Sequence, residues 1–237
     1  MVGDMSKLHV IMPVKDSMET ARDAIDAVMA LRDVDFTVYN DFSSVETTEE
    51  LRGMASEYGF RLVNWADLTD HPSPNYRLTL QDAQRRSLAD GAHLVVVESD
   101  VTVRTDTIAR LEKEAASGVG LVAAVTVDSD NEINFPYLYA RKLKGETVST
   151  RKRLSFCCTL ITNEFLGRFS FEQLDPDKQW YDVFISHQSI RMGLRNLLML
   201  DNRVLHRPHS SRPWKQLKYT YPLKYYWLKI VNRRDRI

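Results

Sequence analysis

Short aliphatic runs alternate along the first half of the chain with stretches in which small apolar residues recur every three or four positions. Residues 7–14 read as a buried strand that ends in Pro13-Val14 and turns through Lys15, Asp16 and Ser17. A helix is predicted over residues 17–31, because Ala21, Ala24, Ile25, Val28, Met29 and Leu31 repeat at helical spacing. Ser17 is placed to cap it, with Glu19 in its first turn. Residues 36–39 predict a second strand, closed by the short polar residues Asn40 to Ser44, which favour turns. A helix over 48–58 stopped by Gly59 and a third strand over 60–64 follow, and this β-α-β-α-β order implies parallel pairing.

The prolines of residues 66–76 predict a loop, and 79–89 a helix that Gly91 ends. Leu94-Val95-Val96-Val97 is an aliphatic run suited to a strand buried on both faces. Beyond it come an expected helix over 104–117, a strand over 120–127, a hairpin or mobile loop over 128–150 and a strand over 154–162. A turn at 175–179, a helix over 180–192 ended by Gly193 and a short strand over 196–200 complete the pattern. The simplest organisation is one continuous α/β domain over residues 1–210, its sheet mainly parallel, Rossmann-like and flanked by helices. Its seam falls at Asp100, between a half over 7–100 and a half over 101–210.

The Leu94 run leads straight into Glu98-Ser99-Asp100. Open α/β sheets bind ligands where their strands end, and two carboxylates gathered there repel each other unless a cation or hydrogen-bond donors lie between them. The pair therefore predicts a bound metal. An isolated ExD read alone would be two solvated loop acids or a helix cap. Oxygen ligands suit Mg²⁺ or Mn²⁺, and an imidazole favours Mn²⁺ slightly.

Charge changes the picture mainly at the end of the chain. The 32 basic and 32 acidic residues cancel, so the molecule as a whole is not a polyanion binder. Yet from Arg203 onward there are ten Lys or Arg against the single acid Asp235. Residues 211–237 interleave these bases with Trp and Tyr, a composition that fits an anionic membrane surface. The same residues would serve equally to pack the tail on the body, and no nucleic-acid partner is expected. Cys157 and Cys158 are adjacent in an apolar run and offer neither a disulfide nor metal-ligand spacing, so they read as reduced core residues of a cytoplasmic protein. No apolar run reaches the length of a spanning helix, and no signal-peptide pattern opens the chain.

Three places give these features a resemblance. Val10-Ile11-Met12-Pro13-Val14-Lys15-Asp16 looks like the opening strand of the family 2 glycosyltransferases of GT-A fold. Val38-Tyr39-Asn40-Asp41-Phe42-Ser43-Ser44 looks like their second strand, and Val95-Val96-Val97-Glu98-Ser99-Asp100 stands where they carry a DxD motif. Farther on, Trp180-Tyr181-Asp182 with Arg191-Met192-Gly193-Leu194-Arg195, and then Val204-Leu205-His206, resembles their acidic helix start, glycine-ended helix and terminal histidine. The departures are Glu98 in place of aspartate, Tyr181 in place of an acid, and the absence of an Arg-Asn pair, for which Asn75 or Arg77 could substitute.

The resemblance implies an inverting transferase that moves a sugar from a nucleoside diphosphate sugar, UDP-linked by family frequency, to a glycan or lipid-linked acceptor. It implies Asp182 as general base and Asp100 with His206 as metal ligands. Glu98 would assist, and Pro13, Val14, Asp16 and Asp41 would line the nucleotide pocket. Localisation follows as cytoplasmic or peripheral at the inner membrane face. Two rival readings remain, a nucleotidyltransferase on a related scaffold and a catalytically silent nucleotide-sugar-binding or interaction module. The first would want a glycine-rich phosphate loop, and Lys15-Asp16-Ser17 contains no glycine.

Overall fold

A computed structural model describes residues 8–31, 34–178 and 180–207, together with 221, 223, 224, 226 and 227. The expected strand start at Lys7, Gln179 of the predicted turn and most of the basic tail lie outside the described residues. Residues 1–207 form one compact unit and 208–237 a second.

In the first unit, β1 (Leu8–Val14), α1 (Met18–Met29), β2 (Val34–Asn40), α2 (Val45–Tyr58) and β3 (Arg61–Asn64) follow one another in the order the pattern predicts. Next come α3 (Tyr76–Ala89), β4 (His93–Val97), β5 (Val101–Thr102), α4 (Thr107–Lys113) and β6 (Val119–Val127). The chain ends this unit with β7 (Thr147–Ser149), β8 (Cys158–Ile161), α5 (Asn163–Arg168), α6 (Tyr181–Arg191) and β9 (Arg195–His206). All nine strands join one sheet in the order β3-β2-β1-β4-β8-β6-β9-β5, with β7 added on β9. Strands β1 to β4 are mutually parallel, and β6 and β9 run in the same sense because each antiparallel step through β8 reverses the direction once. The sheet is thus mainly parallel, with β5, β7 and β8 opposed.

Side chains of a strand alternate between faces, and here the alternation feeds two cores. Val10, Met12, Val95 and Val97 pack with Ala21, Ala24, Ile25 and Val28 of α1 and with Ile108 and Leu111 of α4. Ile11, Leu94 and Val96 pack on the other side with Leu80 and Ala83 of α3, Phe165 of α5 and Ile185 of α6. A strand covered on both faces has no polar side to show, which is why β4 reads as an unbroken aliphatic run.

Several elements differ from expectation. Ser17 precedes α1 but makes no capping bond, because its hydroxyl lies 3.1 Å from that of Ser99. The helix expected over 104–117 is the shorter α4, and the strand expected over 154–162 shrinks to β8. Residues 128–150 contain a 3-10 turn, Leu138–Lys142, and strand β7. Helix α5, capped by Thr162, was not expected. The largest difference is β9, twelve residues long where a short strand over 196–200 was predicted. Its pairing with β6 shifts register between Met199 and Arg203, and the polar Asp201-Asn202 that falls in the irregularity looks like a turn in the sequence.

Candidate functional site

The chain leaves β4 at Glu98, turns through Ser99 and Asp100, and returns as β5. The turn is tight, with the Val101 amide donating to the Glu98 carbonyl at 3.0 Å. β5 then pairs antiparallel with the far end of β9, Val101 opposite His206, and the Arg207 amide donates to the Asp100 carbonyl at 2.9 Å. Residues more than a hundred positions apart are thereby fixed side by side. His206 Nε2 lies 3.5 Å from Asp100 Oδ2, and both side chains are largely buried. His206 Nδ1 lies 2.7 Å from the Phe135 carbonyl, which selects the tautomer with the proton on Nδ1 and leaves Nε2 facing the carboxylates.

β8 supplies the next group. Its antiparallel pairing sets Cys158 against Val97, so Cys157 falls opposite Glu98 and their backbones join through the Glu98 amide and Cys157 carbonyl at 3.0 Å. The Cys157 thiol donates to Glu98 Oε2 at 3.2 Å. Ligand atoms of Glu98, Cys157 and His206 all lie within 4.8 Å of one another. Cys157, expected to be a reduced core residue, therefore lies beside Glu98 and His206. Only the register of β8 puts it there, and no sequence spacing announces that.

Electrostatics make this edge hungry for a cation. Burial first, and then the charge of Asp100, push the Glu98 carboxyl from its ordinary 4.5 up to about 7. Burial alone would lower His206, but its hydrogen bond to Asp100 and the charges of Asp100 and Glu98 outweigh it and raise its pKa. Asp100 Oδ1 is buried and has no hydrogen-bond partner among the described residues. An orphaned carboxylate oxygen in such a place carries a desolvation cost of about 1–3 kcal/mol or more that a bound cation would remove. Two carboxylates and an imidazole fit a divalent cation by ligand type and by this open oxygen.

Asp182 lies in the first turn of α6, where the resemblance implies the base. Arg153 donates to its Oδ2 at 2.8 Å, and the Val183 amide to its Oδ1 at 2.9 Å. Its negative charge adds a small share to the upward shift of Glu98. Tyr76 stacks on Tyr181 with ring centroids 6.3 Å apart, and its buried hydroxyl has no hydrogen-bond partner. The charges of Glu98 and Asp182 help to raise the pKa of that hydroxyl well above its ordinary value, after burial. Tyr76 was not anticipated, and nothing in its neighbourhood along the chain marks it.

The residues assigned to the nucleotide pocket gather where β1 and β2 end. Asp41 follows β2 and accepts from the Ser73 hydroxyl at 2.7 Å, the Asn75 amide at 3.0 Å and Asn75 Nδ2 at 2.8 Å, tying the proline loop to the strand. Asn75, a candidate phosphate contact, is thus engaged with Asp41. Asp16 has a left-handed backbone, φ +45°, held by a reciprocal pair in which its amide donates to Ser43 Oγ at 3.1 Å and the Ser44 amide to Asp16 Oδ1 at 2.6 Å. Pro13 is half-buried, and the Val14 side chain belongs to the core, leaving its carbonyl to accept from the Asp41 amide.

A second group of ligand-type residues, His9, Asp35 and Asp90, lies at the opposite edge of the sheet. There Arg86 already pairs with Asp35 at 2.9 Å, so the local charge is partly neutralised. The Asp100 edge has no comparable Arg or Lys hydrogen bond to its orphaned oxygen among the described residues.

No family model matches the chain, and no curated protein does. Solved structures do. The mannosyltransferase PcManGT from Pyrobaculum calidifontis, in complex with GDP-Man and Mn²⁺, is 16% identical, with a TM-score of 0.65 over 95% of this chain and 64% of that one. S. aureus TarS 1-349 in complex with UDP-GlcNAc is 13% identical, with a TM-score of 0.64 over 86% of this chain and 60% of that one. GalNAc-T7 with UDP, GalNAc and Mn²⁺ is 13% identical, with a TM-score of 0.60 over 86% of this chain and 44% of that one. The chain spans less than two thirds of the length of each. The chain therefore has the GT-A type fold of these glycosyltransferases.

Proposed function

We propose that the chain is an inverting glycosyltransferase of the family 2 type, moving a hexosyl group from a nucleoside diphosphate sugar to a hydroxyl of a glycan or lipid-linked acceptor. The observation that carries this reading is the placement of His206 at the end of β4, within 4.8 Å of Glu98 and 3.5 Å from Asp100, whose Oδ1 has no hydrogen-bond partner among the described residues. GDP-Man, UDP-GlcNAc and Mn²⁺ accompany neighbours of the same fold, which supports a nucleotide-sugar donor and a divalent cation.

In this reading Asp100 and His206 hold Mn²⁺ or Mg²⁺ with help from Glu98. Bound there, the cation supplies Lewis-acid neutralisation of charge on a departing diphosphate. Asp41 and Asp16 shape the nucleoside end of the cleft together with Pro13 and the Val14 backbone, and a UDP-linked donor is the first candidate. Asp182 takes the proton from the acceptor hydroxyl. Arg153 holds that carboxylate in place through its hydrogen bond at 2.8 Å. One base acting in a single in-line displacement gives inversion at the anomeric carbon.

Among the described residues no helix is long and apolar enough to cross a membrane. In the second unit Tyr221, Leu223, Tyr226 and Trp227 are exposed near Lys224, which supports peripheral contact with an anionic membrane surface.

The test is a panel of UDP-, GDP- and dTDP-sugars with Mn²⁺, read as nucleotide release and, for the active donor, as anomeric configuration by NMR. The expected result is cation-dependent release from one donor, lost in Asp182→Asn, with an inverted product. Release by neither wild type nor variant from any donor contradicts the transferase reading. Retention of configuration contradicts the role given to Asp182.

A further inference from the structure

Cys157 belongs to the cluster at the end of β4, yet the transfer chemistry has no use for a thiol. Its Sγ sits 3.2 Å from Glu98 Oε2, and Glu98, Cys157 and His206 present an oxygen, a sulfur and a nitrogen within 4.8 Å of one another. Asp100 Oδ2 lies 3.5 Å from His206 Nε2 and brings a second oxygen, while Asp100 Oδ1 has no partner. Resting on the reading of this edge as the cation site, we propose that Cys157 completes a four-donor set with Glu98, Asp100 and His206. This set captures a thiophilic divalent cation of the zinc class in competition with Mn²⁺ or Mg²⁺.

Geometry and ligand type both favour it. Bonds of about 2.0–2.3 Å in a tetrahedral zinc site place neighbouring ligand atoms about 3.5 Å apart. The Glu98–Cys157 and Asp100–His206 spacings of 3.2 and 3.5 Å match that edge, and the Glu98, Cys157 and His206 donors lie within 4.8 Å of one another. Positions on the backbone are fixed by the β4-β8 and β5-β9 pairings, so the set is pre-organised rather than assembled by the ion. Thiolate and imidazole select zinc over manganese, and the affinity order of first-row ions points the same way. On capture the Cys157 thiol proton, now shared with Glu98, passes to solvent, and no electron moves.

The consequence for the site is inhibition by ion identity. Four protein donors close a tetrahedral ion and leave no position for phosphate oxygens, whereas a six-coordinate ion held by three carboxylate and imidazole ligands keeps positions open. Cys157 would then set which metal supports turnover.

Cobalt(II) titration of the full chain tests this without reference to activity. The expected spectrum shows a near-ultraviolet thiolate-to-cobalt band and intense tetrahedral bands in the visible, both displaced by one equivalent of Zn²⁺. Cys157→Ser should remove the ultraviolet band and weaken zinc at least about 100-fold, the upper range for losing even an outer partner of a ligand. Mn²⁺ binding followed by electron paramagnetic resonance should be unchanged. A weak octahedral cobalt spectrum with no thiolate band, in a wild-type chain that binds Mn²⁺, overturns the proposal and spares the transferase reading. A band that persists in Cys157→Ser overturns it as well. Failure to bind either ion overturns both readings, and the wild-type spectrum decides even where the variant fails to fold.

Discussion

Asp100 concentrates the chemistry of this edge in one side chain. Oδ2 faces His206, Oδ1 is buried without a hydrogen-bond partner among the described residues, and burial and the Asp100 charge push the Glu98 pKa up to about 7. A carboxyl whose pKa is raised by folding favours the folded state while it is protonated, and so does a histidine raised by its partners. The contribution of Glu98 to stability is therefore complete below 4.5 and is lost as pH rises to about 7, with that of His206 fading above its raised pKa. Without added metal, the melting temperature should fall between pH 5 and pH 8, and Mn²⁺ should restore it at pH 8 but not at pH 5. Differential scanning calorimetry at the two pH values checks this, and equal restoration at both contradicts the account of Glu98. Asp182→Asn should cost about 10²–10⁴ in rate, the usual worth of a general base, with little change in melting temperature. As candidates, Glu98 and Asp100 were legible at the end of an aliphatic run, and Asp182 and His206 only through the family resemblance. Cys157 and Tyr76 were not, since only non-local pairing and packing bring them to the same place.

Elements fix those residues by contacts that are easy to disturb. Gly120 opens β6 against α6 so closely that a Cβ would stand 2.0 Å from Ser189 Oγ and 3.2 Å from Leu194 Cβ. Gly120→Ala should destabilise the chain by about 1–3 kcal/mol, the range for overpacking, measured by urea unfolding. A change below a few tenths would mean that α6 yields freely. Gln84 of α3 is the pin for the unexpected α5, donating to the Leu166 carbonyl at 2.9 Å and the Phe169 carbonyl at 2.6 Å and accepting the Phe171 amide at 2.7 Å. Gln84→Leu leaves three backbone groups buried without partners, and at about 1–3 kcal/mol each it should cost more than the glycine change. Residues 163–168 carry too short a periodic signal to be read as a helix, and their capping Thr162 looks like the end of a strand. The long β9 was masked for a related reason. Asp201, whose carbonyl accepts from Arg110 at 3.2 Å, and Asn202, which donates to the Thr107 carbonyl at 3.0 Å, are held by α4 and not by a turn, with Oδ1 of each buried without a hydrogen-bond partner among the described residues.

At the scale of the molecule, the three-layer arrangement followed from the aliphatic runs, because strands covered on both faces demand helices on both sides. What the runs did not encode was the reversal at β8, which joins β6 and then β9 to the sheet beyond β4, so that the end of β9 pairs with β5 and sets His206 against Asp100. The central claim is that a divalent cation at this junction holds a nucleoside diphosphate sugar. Calorimetric titration of UDP and GDP into wild type and Asp100→Asn, each with and without Mn²⁺, tests it most directly. The account predicts binding of at least one nucleotide by wild type only when Mn²⁺ is present, and none by the variant. Nucleotide binding that is indifferent both to the cation and to Asp100 would contradict it.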